Sequence, residues 1–209
     1  MLGKTNVKVK PNKRISIDYV DYIESTGTQY IDTGYIPNDN ITVEIRTSTK
    51  LNSNNSRSLF GSRNSTSSLT NRFALFFGDY NTRVYYDFQY GAVNHNGYAD
   101  SYISSDTPVV LKFGKSGLFI DNTQIISAHT NNISGAIHNM FLCAINTSGS
   151  ASVFYAGKIY YCKIYDGDTL VRDFKPVKDG TGEYCLYDEV EKRYYYNQGS
   201  GEFSGGVAA

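Results

Sequence analysis

The 209-residue sequence has no Trp, only four Pro and three Cys, and no excess charge, because 20 Lys and Arg balance 20 Asp and Glu. A balanced charge gives no electrostatic attraction to a nucleic-acid backbone or an anionic membrane, so we expect neither as a partner. No apolar run approaches the roughly 20 residues of a membrane-spanning helix, which argues against membrane insertion. No long window has the i, i+3, i+4, i+7 apolar spacing of an amphipathic helix.

The cysteines, Cys143, Cys162 and Cys185, exclude two further kinds of structure. Their odd number argues against a disulfide framework, and the absence of a C-x-x-C pair or a nearby His argues against a metal site. Cys143 and Cys162 lie in apolar, strand-like segments, so we expect buried, reduced thiols. The N-terminus has no apolar segment typical of a signal peptide, so the chain as given is expected to accumulate in the cytoplasm.

The residues that are abundant favour β-structure. Tyr occurs 19 times and Phe 11 times, whereas the helix formers Ala and Leu occur ten times each. About a dozen short strands are predicted at spacings of about 8–12 residues, which indicates an all-β sandwich or barrel. Residues 109–113 and 118–120 form a predicted hairpin, followed by a turn at 121–122. In segment 158–165, alternation predicts one shared face for Tyr160, Cys162 and Ile164.

The two ends differ from the middle. Residues 1–17 have a basic excess, and they are predicted to be an N-terminal arm that either stays solvated or orders on a partner. The β-sandwich domain is predicted over 18–206, with a tail at 207–209. Within that domain, the Gly- and Ser-rich segment 199–206 is expected to be flexible from its composition.

Several segments resemble laminin-G-like modules of bacteriophage structural proteins and Gram-positive surface proteins. The matching segments are Tyr22–Gly34, Phe60–Arg63, Gly157–Tyr165, Leu170–Val177, Gly182–Asp188 and Tyr194–Gly199. The resemblance implies a concanavalin-like jelly-roll sandwich of two antiparallel sheets. It implies less about function, because this fold carries lectins, glycosidases and adhesive modules.

Catalysis is not expected. Glycosidases of this fold carry Glu-x-Asp-x-Glu or a near variant on one strand, since retaining hydrolysis needs two carboxyl groups about 5 Å apart. None of the six Glu residues lies in that pattern. Glu189 and Glu191 are two residues apart, but the segment 188–193 is predicted to be a charged turn between two Tyr-rich strands.

A binding surface is predicted on strand 83–90. Its core face would carry Val84, Tyr86, Phe88 and Tyr90, so alternation leaves on the opposite face Arg83, Tyr85, Asp87 and Gln89. A loop at 91–102 would add His95, Asn96 and Tyr98. Tyr85 would stack on a sugar ring while the polar groups bind hydroxyls. The alternative interpretation is an ordinary solvated sheet face.

These observations favour a non-catalytic bacteriophage virion protein, a fibre, decoration or tail module that contacts host glycans or neighbouring subunits. We expect it in the virion, assembled in the host cytoplasm as a homo-oligomer, with the arm binding other virion subunits. The alternatives are a carbohydrate-binding or adhesion module on a Gram-positive cell surface, and a glycosidase with an unrecognised site. No cofactor is expected. Calcium is left open, with oxygen ligands from Asp79 and Asn81, or from Asp100 and Asp106.

Overall fold

The computed structural model describes residues 16–49, 56–67, 71–80, 83–90, 93–98, 106–128, 132–133, 135–136 and 138–207. At 56, 77–80, 83–89 and 93–98 it describes the backbone alone. Over these residues the chain forms nineteen strands in two sheets and no α-helix. None of them belongs to a helix that could cross a membrane. The all-β prediction is confirmed, as expected from a sequence with β-periodicity and few helix formers.

Sheet one contains eleven of the described strands. They are β1 (Asp18–Tyr19), β2 (Tyr22–Thr26), β4 (Ile41–Thr49), β9 (Val109–Gly114), β10 (Gly117–Ile120), β11 (Thr123–Ile126), β15 (Ala156–Asp166), β16 (Thr169–Lys178), β17 (Tyr184–Asp188), β18 (Arg193–Tyr195) and β19 (Ser204–Gly206). The main order is β11-β10-β9-β4-β15-β16-β17-β18. β2 pairs with β15 and β19, and β1 pairs with β16.

Sheet two contains the other eight described strands. They are β3 (Ile31–Asp32), β5 (Ser56–Arg63), β6 (Arg72–Tyr80), β7 (Arg83–Tyr90), β8 (Val93–Tyr98), β12 (Phe141–Leu142), β13 (Ile145–Thr147) and β14 (Ser150–Ser152). The main order is β14-β13-β5-β6-β7-β8, and β12 joins β3 to β5. Every pair of described strands is antiparallel except β13 with β5. The strand order and pairing thus form the predicted jelly roll of two sheets.

Aromatic rings fill the layer between the sheets. Phe113 of sheet one stacks on Phe73 of sheet two with ring centroids 4.7 Å apart, and Phe60 lies 5.9 Å from Phe113. Tyr90, at the end of β7, is fully buried and meets Phe73 edge-on. Each fully buried aromatic side chain stabilises the fold by about 1.5–3 kcal/mol. The alternating apolar positions of the strands thus place one continuous core between the two sheets.

Two local predictions are confirmed in detail. β9 and β10 form the predicted hairpin, with Leu118 opposite Phe113. Asp121 and Asn122 then turn the chain into β11 with φ of 45° and 68°. Positive φ at both central residues is the mark of a type I′ turn, which Asn and Asp tolerate better than most residues do.

The expectation of a flexible C-terminal segment is wrong. Ser204–Gly206 form β19, which pairs with β2, and Phe203 is 4% exposed in the core. Gly205 allows this pairing, because a Cβ there would lie 2.6 Å from both the Tyr22 carbonyl oxygen and the Tyr184 ring. The glycine therefore permits close packing and does not mark a loose tail.

A β-bulge overturns the predicted face of Tyr160. The pairing of β15 with β4 shifts between Ile159, opposite Thr47, and Tyr161, opposite Arg46. Ile159 and Cys162 are buried, but Tyr160 and Tyr161 are both half-buried on the outer face of sheet one. A bulge inserts one residue into a strand, so the alternation on its two sides is out of phase.

All three cysteines are free and buried, as predicted for Cys143 and Cys162. Burial raises the pKa of the Cys143 and Cys185 thiols to about 12, and it also raises the pKa of Cys162. These thiols are therefore protonated and unreactive in the folded protein near neutral pH. Cys143 has φ of 64° in a break between β12 and β13, not the continuous strand its apolar neighbours suggest.

The N-terminal arm lies largely outside the described residues, which begin at 16. Ile17 packs against Val177, Cys185 and Tyr187 of sheet one. β1 follows at once and pairs with the end of β16, with Tyr19 opposite Val177. The boundary at 17–18 and the role of the arm stay predictions.

Candidate functional site

The residues predicted as a binding face lie on β7 and β8, the last two strands in the order of sheet two. β7 pairs with β6 on one side and β8 on the other. The register places Tyr85 opposite Tyr98 and Asp87 opposite Asn96. Directly opposed residues of an antiparallel pair share a face, so these four positions belong together. Their side chains lie outside the described part of the structure, and the proposed role stays a prediction.

Two details of that prediction are wrong. Residues 93–98 form strand β8, not a loop, because their backbone continues the antiparallel pairing from β7. His95 lies opposite Phe88, which puts it on the other face from Asp87 and Asn96. Gln89 lies opposite Asn94 on β8, and Arg83 lies opposite Tyr80 on β6. The polarity of segment 91–102 led to the loop assignment, but backbone pairing does not require apolar side chains.

A second surface, which we name the tyrosine cleft, lies where β18 meets the segment that follows β3. Its volume is about 430 Å³. Its lining combines aromatic rings, amides, one carboxylate and one guanidinium group: Asp32, Gly34, Asn139, Arg193, Tyr194, Tyr195, Tyr196 and Gln198. Three distant parts of the sequence therefore contribute to one concave surface.

Asp32 and Asn139 form the polar side of the tyrosine cleft. β3 and β12 pair in this region, with Asp32 opposite Phe141. The Asp32 carboxylate accepts a hydrogen bond from the backbone N–H of Gly34 at 2.9 Å and one from the Asn139 amide at 3.3 Å. These two donors fix the orientation of the carboxylate and leave further acceptor positions on its oxygens.

Tyr196 supplies the accessible ring. Its side chain is 37% exposed, it stacks with Tyr194 at 6.2 Å between ring centroids, and its hydroxyl donates to Asp179 at 3.1 Å. Tyr195 is different, because it is 6% exposed and meets Phe174 edge-on in the core. Tyr195, the last residue of β18, thus enters the core, while the ring of Tyr196, the next residue, reaches the surface.

A network of charged groups holds the floor of the tyrosine cleft. Glu191 accepts hydrogen bonds from Arg172 Nη1 at 2.7 Å, from Arg193 Nε at 2.8 Å and from the Tyr195 hydroxyl at 2.7 Å. Arg172 also donates to the Thr33 carbonyl, and it lies 3.7 Å from the fully buried Asp188. The network joins the β17–β18 turn to the segment after β3.

This arrangement agrees with the charged turn predicted at 188–193. It also holds Glu191 in place through three partners, Arg172, Arg193 and Tyr195. Burial and the hydrogen bond to Glu191 raise the pKa of Tyr195 to about 12. Burial and Asp179 likewise raise that of Tyr196 to about 12. Both phenols therefore stay protonated and act as hydrogen-bond donors across the physiological pH range.

Other surface tyrosines are covered by cations. On the outer face of sheet one, Lys158 Nζ lies 4.2 Å from the Tyr22 ring centroid and Arg46 lies 5.0 Å from that of Tyr160. Tyr161 has Lys175 at 5.3 Å and Lys163 at 5.6 Å. A cation over a ring face occupies the position that a stacked ligand needs. Among the described residues, no such cation lies over Tyr196, so its ring is the better platform.

Metal binding finds no support in the described part of the chain. No three His, Cys, Asp or Glu side chains come together there as a metal site. Asn81 and Asp100, named above as calcium ligands, lie outside the described residues, as does the side chain of Asp79. The question of calcium is therefore untested.

Comparison with known proteins identifies the fold. No protein-family model matches the chain, and no curated protein matches its sequence. Among solved structures, a putative carbohydrate binding protein from Bacteroides ovatus ATCC 8483 is similar over 91% of this chain and 61% of its own, with TM-score 0.55 and 10% identity. The K499G mutant of NanB sialidase from Streptococcus pneumoniae is similar over 90% of this chain and 40% of its own, with TM-score 0.51 and 12% identity.

A CBM40 module of the Ruminococcus gnavus IT-sialidase is also similar, over 71% of this chain and 90% of its own, with TM-score 0.46 and 14% identity. The two similarities with TM-scores above 0.5 show the fold, an all-β jelly roll of two sheets. None of these three structures is a laminin-G or phage protein, so the virion setting has no support from them. At such low identity they establish the fold and leave the activity to be argued from the chain itself.

Proposed function

We propose that this protein is a non-catalytic carbohydrate-binding module that holds its ligand in the tyrosine cleft. The observation that carries the proposal is a single concave surface whose lining combines the exposed Tyr196 with the planar polar groups of Asp32 and Asn139. Such a combination suits a sugar, whose C–H face packs on a ring while its hydroxyl groups bind amides and carboxylates. The similarity in fold to a putative carbohydrate binding protein supports the same class.

The charged turn at the cleft supports a binding role more than a catalytic one. Glu191 is engaged by two arginines and a tyrosine. Glu189 accepts hydrogen bonds from Lys192 and Tyr19, and these lower its pKa. A general acid for glycoside hydrolysis needs a carboxyl group with a raised pKa, and Glu189 has the opposite shift.

The setting that fits this proposal is a bacterial cell surface or extracellular adhesion module, because the similar structures reported above are bacterial carbohydrate-binding and sialidase proteins. The virion role with arm-mediated subunit contacts and a homo-oligomeric assembly stays a prediction from the sequence resemblance. It would require the basic residues of 1–17 to bind another subunit.

Glycan binding by Tyr196 variants tests the proposal. Tyr196→Ala should weaken binding on a glycan array and in calorimetry about five- to ten-fold, since an aromatic contact contributes about 1–1.5 kcal/mol. Tyr196→Phe should keep most of the affinity because the ring remains. Tyr160→Ala is the matched control, as this ring is already covered by Arg46.

The sequence-predicted face is tested in the same assay with Tyr85→Ala and Asp87→Ala. If these variants lose binding and Tyr196→Ala does not, the ligand lies on β7–β8 and the tyrosine cleft is the wrong site. If the parent protein binds no glycan, the carbohydrate-binding function itself is wrong.

A further inference from the structure

The tyrosine cleft carries an excess of negative charge. Asp32 and Arg193 are its charged lining residues. Two more carboxylates bond directly to the lining: Glu191 to Arg193 and Tyr195, and Asp179 to Tyr196. The lining and the groups bonded to it therefore contain one guanidinium group and three carboxylates. Behind them, Arg172 and the buried Asp188 form an oppositely charged pair that leaves this balance unchanged.

The one cation in the lining is already engaged. Arg193 Nε pairs with Glu191 at 2.8 Å, its Nη2 donates to the Tyr195 hydroxyl at 2.7 Å, and its guanidinium carbon lies 4.5 Å from the Tyr195 ring centroid. Glu191 lies at contact distance from this guanidinium group and from that of Arg172. An acidic ligand entering the cleft would therefore meet Asp32 without a free positive charge to compensate.

Asp32 is oriented as an acceptor for incoming donors. Each of its oxygens has one partner, Gly34 N–H on Oδ1 and the Asn139 amide on Oδ2. A carboxylate has about four acceptor positions, so about two stay open for a ligand. A hydroxyl pair or an ammonium group satisfies these positions, whereas a second carboxylate cannot donate to them.

We propose that the tyrosine cleft selects neutral and amino sugars over acidic sugars, and that Asp32 sets this selectivity. The inference rests on the proposed function and adds the chemical class of its ligand. A protonated amino sugar gains a charge-assisted hydrogen bond to Asp32, a neutral sugar gains ordinary hydrogen bonds, and a sialic or uronic acid is repelled. We expect amino sugars to bind most tightly, neutral sugars less tightly and acidic sugars most weakly.

A glycan array with matched sets tests this order. Each set pairs a neutral oligosaccharide either with its sialylated or glucuronic derivative or with its counterpart that has a free amino group. Lactose with 3′-sialyllactose is a set of the first kind, and cellobiose with the glucosamine disaccharide is a set of the second. Titration calorimetry then measures the bound members. We expect acidic members to bind at least five-fold more weakly than neutral ones, and amino members at least five-fold more tightly.

Asp32→Asn separates charge from shape. It keeps two polar atoms at the same place, so neutral sugars should still bind, while the amino preference should fall to less than two-fold and acidic members should gain affinity. Glu202→Gln removes an exposed carboxylate outside the cleft lining and should change none of these ratios.

The outcomes separate the two proposals. Binding that depends on Tyr196 but favours acidic members, or an Asp32→Asn variant with unchanged ratios, overturns the charge selectivity and leaves the carbohydrate site standing. An array without any bound glycan overturns the carbohydrate function itself.

Discussion

The β7–β8 face and the tyrosine cleft are built from the chain in opposite ways. The first comes from one local hairpin, in which Asp87 and Asn96 are opposed through adjacent strands. The second joins Asp32, Asn139 and Tyr196, which are far apart in sequence and meet through the pairing of β3 with β12 and the packing of β18. A surface made by one hairpin depends on its register alone, whereas the tyrosine cleft depends on the whole sandwich.

The support beneath the tyrosine cleft also differs from that of an ordinary sheet face. Buried and half-buried charges tie the β17–β18 turn to Thr33, through Arg172 and Glu191. Such a network orients the groups above it, because each member is held by several partners. The cleft should therefore be pre-organised for its ligand, which lowers the entropy cost of binding.

Thiol reactivity gives the largest expected effect, and it tests whether sheet two, which carries the β7–β8 face, opens together with sheet one. Cys143 lies beside β5 of sheet two, while Cys162 and Cys185 belong to sheet one. All three thiols are buried, so each should react about a thousand-fold more slowly with a thiol reagent in the native protein than in denaturant. Mass spectrometry of the labelled protein gives the rate for each cysteine. Rapid labelling of Cys143 alone would show that sheet two opens separately.

Arg172→Met should have the next largest effect. It leaves Asp188 buried without its charged partner, so we expect a loss of roughly 3 kcal/mol of unfolding free energy. Urea denaturation measures this, with Lys192→Met as the control because that side chain is 65% exposed and lies outside the cleft lining. Arg172→Met should also abolish binding at the tyrosine cleft while leaving any binding at β7–β8 intact. A loss below 1 kcal/mol would mean that the network does not support the cleft.

The pH dependence of Asp179→Asn is the smallest expected effect. Hydrogen bonds, chiefly from the Thr181 hydroxyl, lower the pKa of Asp179 to about 2. A lowered pKa in the folded state stabilises the protein above the unfolded value of 3.8, and this contribution is lost as the pH falls toward 2. The melting-temperature difference between parent and variant should be constant from pH 5 to 7 and shrink below about pH 4. A difference that grows in acid would reverse the assigned sign.

The sequence predicts well those features that depend on neighbouring residues. The hairpin predicted for residues 109–113 and 118–120 forms as β9 and β10. The Asp121–Asn122 turn follows from the residue types that accept positive φ. These predictions succeed because the determining interactions lie within a few residues of each other.

Features that depend on distant partners are missed. The bulge at Tyr160 shows in the pairing with β4, and nothing in the local alternation marks it. Segment 204–206 becomes a strand because β2 offers an unpaired edge and the core accepts Phe203. The tyrosine cleft needs Asp32 and Asn139 beside Tyr196, and only the Tyr cluster at 194–196 signalled it in the sequence.

The pairing of β2 with β19 sets how the domain responds to mechanical load. Tyr22, where β2 begins, lies opposite Gly206, where β19 ends, and the Asp21 N–H donates to the Gly206 carbonyl at 3.0 Å. A pull between the two flanking chains acts at the same end of this strand pair, so its hydrogen bonds break one after another instead of sharing the force. On the C-terminal side, β19 is the first described strand that the load reaches, and Phe203 leaves the core when β19 peels away.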